Sequence, residues 1–145
     1  TTERRFQELL ASPEHGGDVR HVGFLKGPDK QAAMLGSDVL LFPSYYAFET
    51  HPLSLVEAMA HGMQIVATRW RGIPEMLPDG LANLVEPRDP EALAQGLLQS
   101  VSNSRGCHLR ERYERRYTLD RFLERLAEAL KTVEPETRSL GDPVS

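Results

Sequence analysis

The chain has 145 residues, of which 40% are hydrophobic and 26% are charged, and its formal net charge is −4. This length suits about one domain with a buried core, and the acidic balance argues against a broad nucleic-acid or anionic-membrane surface. No apolar run reaches the length that spans a bilayer, and the single cysteine, Cys107, excludes an internal disulfide framework and fits a reducing compartment.

The first half of the chain is predicted to alternate helices with strands. We predict an amphipathic helix over Thr2–Ala11, a turn over Pro13–Asp18, a strand over Val19–Leu25 and a helix over Pro28–Gly36. Proline near the start and glycine at the end are typical of the boundaries of that last helix. Short apolar and β-branched runs predict a buried strand at Asp38–Phe42 and a strand at Gln64–Thr68, with a helix between them at Pro52–His61.

The second half continues the alternation and ends in charged helices. After a turn over Trp70–Pro74 we predict a short helical piece around Glu75–Leu77, a turn at Pro78–Gly80 and a strand over Leu81–Val85. A helix over Pro90–Val101 has Asp89 as its cap. Asn103–Gly106 breaks the chain, Leu109–Tyr117 and Leu119–Val133 read as helices, and the polar tail Glu134–Ser145 is expected to be disordered.

Strands that alternate with helices predict an α/β fold with a parallel sheet and helices on both of its faces. Only about four strands are visible, and the chain opens with a helix. A doubly wound sheet usually has more strands, so we expect a partial domain over residues 1–133, with the first strands on preceding sequence, followed by the tail at 134–145.

Glu57 is the only charge in the apolar helical stretch Leu53–Ala60. At helical spacing it shares a face with Leu53, Val56 and Ala60. A carboxylate on an apolar face is costly unless a partner binds it. It could accept two hydrogen bonds from a cis-diol such as that of ribose, or it could form a buried salt bridge with an arginine.

Glu49 lies in the loop that leaves the predicted strand Asp38–Phe42. Ligands of open α/β sheets bind at the carboxyl ends of the strands. A carboxylate there could accept hydrogen bonds from sugar hydroxyls or stabilise positive charge at an anomeric carbon. The alternative is a solvated loop acid.

The junction between this loop and the next helix offers backbone donors. Helix N-termini carry unpaired N–H groups and partial positive charge, so they bind anions. Pro52 presets the first turn, and the amides of His51, Leu53 and Ser54 remain as donors. An ordinary capped helix is the alternative.

Three further features have weaker interpretations. In the segment Arg69–Gly72 the arginines could bind phosphate and Trp70 could stack, but a surface loop explains it equally well. The histidines lack metal-ligand spacing, so we expect no metal site. The seven arginines between Arg105 and Arg125 alternate with glutamates, which favours solvated helix faces over an RNA- or lipid-binding face.

Taken together, Val22–Val101 resembles the C-terminal, nucleotide-sugar-binding half of retaining glycosyltransferases of the family 4, or group 1, type, which have the two-domain GT-B fold. Four segments carry the resemblance in the expected order and spacing: HVGFLKGPDKQAAMLGSDVLLFPSYY, the E-x7-E signature from Glu49 to Glu57 that continues as EAMAHGMQIVAT, RGIPEMLPDG, and LVEPRDPEALAQGL.

The resemblance implies a Rossmann-like parallel sheet with flanking helices and assigns roles to the residues of the signature. Glu57 would hold the ribose of the donor, and Glu49 would be the catalytic residue, which contacts the donor sugar near the reacting centre. The turn of Thr50, His51, Leu53 and Ser54 would hold the diphosphate and the sugar. The nucleotide-diphosphate sugar is a substrate, and neither a cofactor nor a metal is expected.

The sequence also departs from the family pattern. Position 52 is proline where many members have glycine, and Arg71 replaces the first glycine of the usual Gly-Gly-x-x-Glu segment. Glu75 matches the acid of that segment, for which we expect a capping role. The first strand and helix of the domain, with the arginine and lysine that grip the diphosphate, have no counterpart, and neither has the acceptor-binding domain.

We therefore expect the donor-binding part of a hexose-type transferase that is inactive on its own. Its acceptor is unknown, and its partner would be an N-terminal acceptor-binding half in the same or another chain. A non-catalytic nucleotide-binding or interaction module with the same fold is the alternative. No nucleic-acid partner is expected, and the expected location is the cytoplasm, either free or peripheral at the inner face of the membrane.

Overall fold

A computed structural model of the chain describes residues 2–12, 19–102 and 106–132. The chain divides into two compact units, residues 1–36 and residues 37–145. In chain order the described elements are α1 (Thr2–Leu10), α2 (Gly27–Leu35), β1 (Val39–Phe42), α3 (Leu53–Ala60), β2 (Gln64–Thr68), α4 (Ile73–Met76), β3 (Asn83–Val85), α5 (Pro90–Val101), α6 (Gly106–Arg116) and α7 (Leu119–Thr132).

The first unit contains α1 and α2, which confirms both predicted helices to within a residue at each end. The predicted strand Val19–Leu25 is wrong, because residues 19–26 have no regular secondary structure. A strand exists only where its backbone groups pair with a neighbouring strand, and no described residue pairs with this segment. Its apolar side chains are correspondingly exposed, Phe24 by 86%. The predicted turn at Pro13–Asp18 lies outside the described residues.

The second unit is built on a parallel sheet with the order β1-β2-β3, as the alternating pattern predicts. Its register pairs Val39 with Gln64 and Val66 with Asn83. The central strand β2 is buried from Ile65 to Thr68. The prediction of a buried strand at Asp38–Phe42 is wrong in its burial, because β1 pairs on one side within the described residues and Leu41 is 41% exposed.

The core of this unit lies between the sheet and the helices that pack on it. Helices α3 and α5 both contact β2, and α3 also packs against α6. Gly96 allows α5 to approach the sheet, since a Cβ there would lie 3.1 Å from Cγ1 of Val66. The fully buried side chains include those of Leu55, Met59, Ile65, Val66, Ile73, Leu77 and Leu109.

Helix α5 is predicted to the residue, and its cap is confirmed. The Asp89 carboxylate accepts a hydrogen bond from the backbone N–H of Ala92 at 2.9 Å. Asn83 of β3 fixes the other end, because its Nδ2 donates to the carbonyl of Gly96 at 2.9 Å and to Oγ of Ser100 at 2.7 Å. These polar contacts hold α5 in one position on the sheet.

The arginine-rich helices carry the predicted solvated ion pairs, such as Arg110 with Glu114 at 2.8 Å. Two arginines also make hydrogen bonds that the alternating charge pattern does not predict. Arg110 donates to the carbonyl of Ala60 at the end of α3, and Arg112 donates to the carbonyls of Met76 and Glu75 at 2.6 and 2.9 Å. Helix α6 therefore caps the C-terminal ends of α3 and α4.

Helix α7 exposes an apolar face in this chain. The side chains that form it are those of Leu119, Phe122, Leu123, Leu126 and Leu130. Every helix among the described residues is too short or too polar to cross a bilayer. The predicted tail from Glu134 lies outside the described residues.

Candidate functional site

The loop after β1 positions Glu49 through contacts with the end of β2. Ser44 Oγ donates to Oε2 of Glu49 at 2.9 Å. The buried hydroxyl of Thr68 donates to the carbonyl of Ser44, and the indole Nε1 of Trp70 donates to the carbonyl of Tyr46 at 2.8 Å. The carboxylate is thus held on a loop that β2 fixes at two points, at the carboxyl ends of two parallel strands.

The loop is also fixed by the close approach of a second backbone segment. A Cβ on Gly72 would lie 2.0 Å from the carbonyl oxygen of Thr50, a distance that no side chain tolerates. Gly72 has a φ of −76°, so space rather than backbone conformation requires glycine here. The segment that begins α4 can therefore lie directly against Glu49 and Thr50.

These segments enclose a cleft of about 490 Å³. Its lining combines two carboxylates, one guanidinium and an aromatic ring with backbone from both segments. The lining residues are Ala47, Phe48, Glu49, Thr50, Arg71, Gly72 and Glu75. Such a lining can bind hydroxyl groups through the carboxylates and an anionic group through the guanidinium.

The N-terminus of α3 follows the cleft loop directly. The helix begins at Leu53, with the buried Pro52 before it at a φ of −65°. No side chain caps this end, and within the described residues the N–H groups of Leu53 and Ser54 have no hydrogen-bond partner. The predicted backbone donors are therefore available to an anion.

His51 lies just before this helix and packs against the far end of α6. Its ring centroid is 5.6 Å from that of Tyr117. The side chain of His51 is exposed otherwise. This ring contact fixes the backbone that leads into α3. It does not involve the backbone N–H groups of the turn.

Glu57 is half-buried on α3 and is not part of the cleft lining. The buried face of the helix is formed by Leu55, Ala58 and Met59. The face that Glu57 is predicted to share with Leu53, Val56 and Ala60 is not the buried one, because Leu53 is 71% exposed. Glu57 lies one turn after Leu53 on the same side of the helix, on the side of the unpaired N-terminus.

The structure brings some of the predicted site residues together and separates others. Glu49 and Thr50 share the cleft, while His51, Leu53 and Ser54 form the next turn and Glu57 follows one turn later. Sequence reasoning missed the contributions of Ser44 and Gly72, since both depend on approaches between segments that are distant in the chain.

The residues that follow β2 differ in their contacts. Arg69 pairs with Asp79 at 3.0 Å and lies 3.8 Å from Glu86, which supports the surface-loop interpretation for this arginine. The capping role expected for Glu75 is wrong, because within the described residues no side chain caps the N-terminus of α4. As a group, the described residues contain no set of three histidine, cysteine, aspartate or glutamate side chains placed to hold a metal ion.

The sequence model of the family described as glycosyl transferases group 1 matches residues 1–103. The chain belongs to this family. Membership confirms the predicted resemblance to the C-terminal domain of group 1 glycosyltransferases.

Two named glycosyltransferases and synthases are similar to the chain in sequence. Sucrose synthase of Acidithiobacillus caldus is 30% identical over 138 residues, which are 85% of this chain and 17% of that protein. Phosphatidyl-myo-inositol mannosyltransferase of Mycobacterium leprae is 39% identical over 111 residues, which are 74% of this chain and 28% of that protein. The chain thus spans less than a third of the length of either relative.

A solved structure confirms the fold class. HepE of Anabaena, crystallised in complex with UDP, superimposes with a TM-score of 0.80 over 90% of this chain and 37% of its own, at 19% identity. The chain has the Rossmann-like parallel sheet with flanking helices that is found in the C-terminal half of GT-B glycosyltransferases.

Proposed function

We propose that the chain is the donor-binding part of a retaining glycosyltransferase, which moves a hexose-type sugar from a nucleotide-diphosphate sugar to an acceptor. One observation carries the proposal: the Glu49 carboxylate is fixed by Ser44 in a cleft whose next element is a helix N-terminus with unpaired N–H groups. A carboxylate beside an anion-binding turn suits a ligand that joins a sugar to a diphosphate.

The donor would lie along the turn and the first part of α3. Its diphosphate would accept hydrogen bonds from the backbone N–H groups of Leu53 and Ser54, with Thr50 and His51 bordering the sugar. The Glu57 carboxylate, one turn along the helix, would accept hydrogen bonds from the ribose hydroxyls. HepE, whose fold this chain shares, is crystallised in complex with UDP, which supports a nucleotide ligand.

Glu49 would act on the bond that breaks. As the anomeric carbon separates from the diphosphate, positive charge develops on the sugar and negative charge on the leaving group. The carboxylate stabilises the first, and the helix N-terminus stabilises the second. Within the described residues Ser44 is the only side chain that binds this carboxylate, so Oε1 remains for the sugar. The acceptor then enters on the face that the diphosphate leaves, and the configuration is retained. This proposal uses no metal ion.

Transfer would also need an acceptor-binding half, which we place on the same or another chain. The exposed apolar face of α7 supports such a partner, since apolar patches of this kind mark interaction surfaces. We propose a cytoplasmic location, free or peripheral at the inner membrane face. The name of the mannosyltransferase relative states a lipid acceptor, which supports the peripheral form.

Calorimetric titration with UDP, GDP and ADP tests the proposal. We expect one of the three nucleotides to bind the purified chain. If a chain shown to be folded by circular dichroism binds none of them at millimolar concentration, the donor-binding proposal is wrong, and the non-catalytic module becomes the better explanation.

A further inference from the structure

Arg71 has a backbone conformation that normally favours glycine. Its φ is +49°, in the left-handed region, where residues with a Cβ are disfavoured. It also stands where the family pattern has glycine. An arginine at such a position is a candidate for a function of its side chain.

The side chain is held in a fixed place. The guanidinium of Arg71 lies 5.4 Å from the centroid of the Trp70 ring, a cation–π contact. Trp70 is itself fixed by the hydrogen bond from its indole to the carbonyl of Tyr46. Arg71 therefore lines the cleft beside Glu49 and Glu75 from an anchored support rather than as a freely moving surface arginine.

The charge of Arg71 is not neutralised by its neighbours. Among the residues that the structure describes, no carboxylate lies within ion-pair distance of it, whereas the nearby Arg69 has two such partners. A guanidinium presents a planar fork of donors that matches a carboxylate in a bidentate pair. The cleft thus offers a built cation to an anionic group on the ligand.

Glu49 and Glu75 determine which kind of anionic group can bind in the cleft. A diphosphate carries several negative charges, and Glu49 and Glu75 would repel it from this part of the cleft. A sugar brings hydroxyl groups for both glutamates, and a sugar acid adds a single carboxylate for the arginine. The lining therefore favours a sugar acid over a phosphate group.

We propose that Arg71 makes the sugar subsite selective for a donor whose transferred sugar carries a carboxylate. This inference rests on the proposed function, because it assumes that the cleft beside Glu49 receives the donor sugar. It adds the substrate class, which is the nucleotide-diphosphate ester of a uronic acid.

Three matched pairs of donors test this selectivity by calorimetry: UDP-glucuronate with UDP-glucose, GDP-mannuronate with GDP-mannose, and ADP-glucuronate with ADP-glucose. For the pair whose nucleotide binds, we expect the unsubstituted chain to bind the acid roughly tenfold tighter than the neutral sugar. The variant Arg71→Gly should bind both about equally, with its affinity for the neutral sugar kept, since glycine adopts this φ without strain.

Arg88→Gly is the matched control. Arg88 also has a positive φ, 65°, and lies 5.4 Å from the ring centroid of Tyr45, but it is not part of the cleft lining. Its replacement makes the same change in charge and backbone, so the preference for the acid should survive.

Each other result overturns a defined claim. Equal affinity for acid and neutral sugar in the unsubstituted chain, with the nucleotide itself bound, overturns the role of Arg71 and leaves donor binding intact. Loss of the preference in both variants shows a general effect of net charge and also overturns it. If no nucleotide or sugar nucleotide binds, the proposed function fails, and this inference fails with it.

Discussion

The position of the Glu49 side chain is determined by contacts with other residues. The hydroxyl of Ser44 holds the carboxylate, and Thr68 and Trp70 hold the loop from the end of β2. A carboxylate fixed in this way needs no reorganisation when charge develops beside it. Its effect should therefore concern the sugar and not the nucleotide.

The variant Glu49→Ala tests this separation. We expect affinity for the nucleotide sugar to fall roughly tenfold, while affinity for the bare nucleotide stays the same, because only the sugar loses a charge-assisted hydrogen bond. Calorimetric titration of both ligands gives the comparison. Glu128→Ala, an exposed acid on α7, is the control. Equal losses for both ligands would contradict a role at the sugar.

Gly72 gives the second prediction at the scale of one residue. A Cβ at this position meets the carbonyl oxygen of Thr50 at 2.0 Å, so Gly72→Ala must push the two segments apart. We expect a loss of about 1–3 kcal/mol in the free energy of unfolding, measured with urea. In the control Gly36→Ala, the nearest contact is 3.3 Å, and the loss should be clearly smaller. Equal stability of both variants would show that the loop yields without cost.

At the scale of elements, Arg112 joins α6 to the end of α4, and α4 borders the cleft. The side chain donates to two carbonyl groups, those of Met76 and Glu75. Arg112→Met replaces arginine with another long side chain and removes both hydrogen bonds. We therefore expect a loss of about 1–3 kcal/mol in the free energy of unfolding, measured with urea.

Arg116→Met is the control for this prediction, because Arg116 is an exposed arginine on the same helix. It should change the free energy of unfolding by less than about 0.5 kcal/mol. A similar effect of the two substitutions would mean that the carbonyl contacts of Arg112 contribute nothing beyond its charge.

The elements that sequence predicts best are those whose signals are local. Strand β2 is a short β-branched run, and α5 has its own cap in Asp89, so both have the predicted bounds. The segment Val19–Leu25 has the composition of a strand but forms none here, because a strand depends on a partner that the local sequence does not specify.

The candidate site divides in the same way. Glu49 and the turn before α3 are readable from the motif and from the end of a strand. The role of Gly72 is not, because it depends on a carbonyl more than twenty residues away. The sequence offers Arg71 as an anion-binding candidate but does not show which cleft it lines, because that cleft exists only after folding. Glu57 lies on the predicted face with Leu53, but the apolar periodicity of α3 does not show that this face is only half-buried.

At the scale of the whole molecule, transfer in our proposal needs an acceptor-binding half in addition to the donor site. The parallel sheet, the uncapped helix N-terminus and the cleft are all within residues 37–145. We therefore expect nucleotide binding without transfer from the chain alone. Donor binding in this proposal requires above all that α3 holds the nucleotide.

The most direct test is calorimetric titration of the unsubstituted chain, Glu57→Gln and Glu128→Gln with the nucleotide that binds. We expect Glu57→Gln to bind the nucleotide roughly tenfold or more weakly, because the ribose loses a charged hydrogen-bond acceptor. Glu128→Gln should bind it with unchanged affinity. Circular dichroism should show the same fold in all three. Unchanged affinity in folded Glu57→Gln would contradict the assignment of α3 as the donor site.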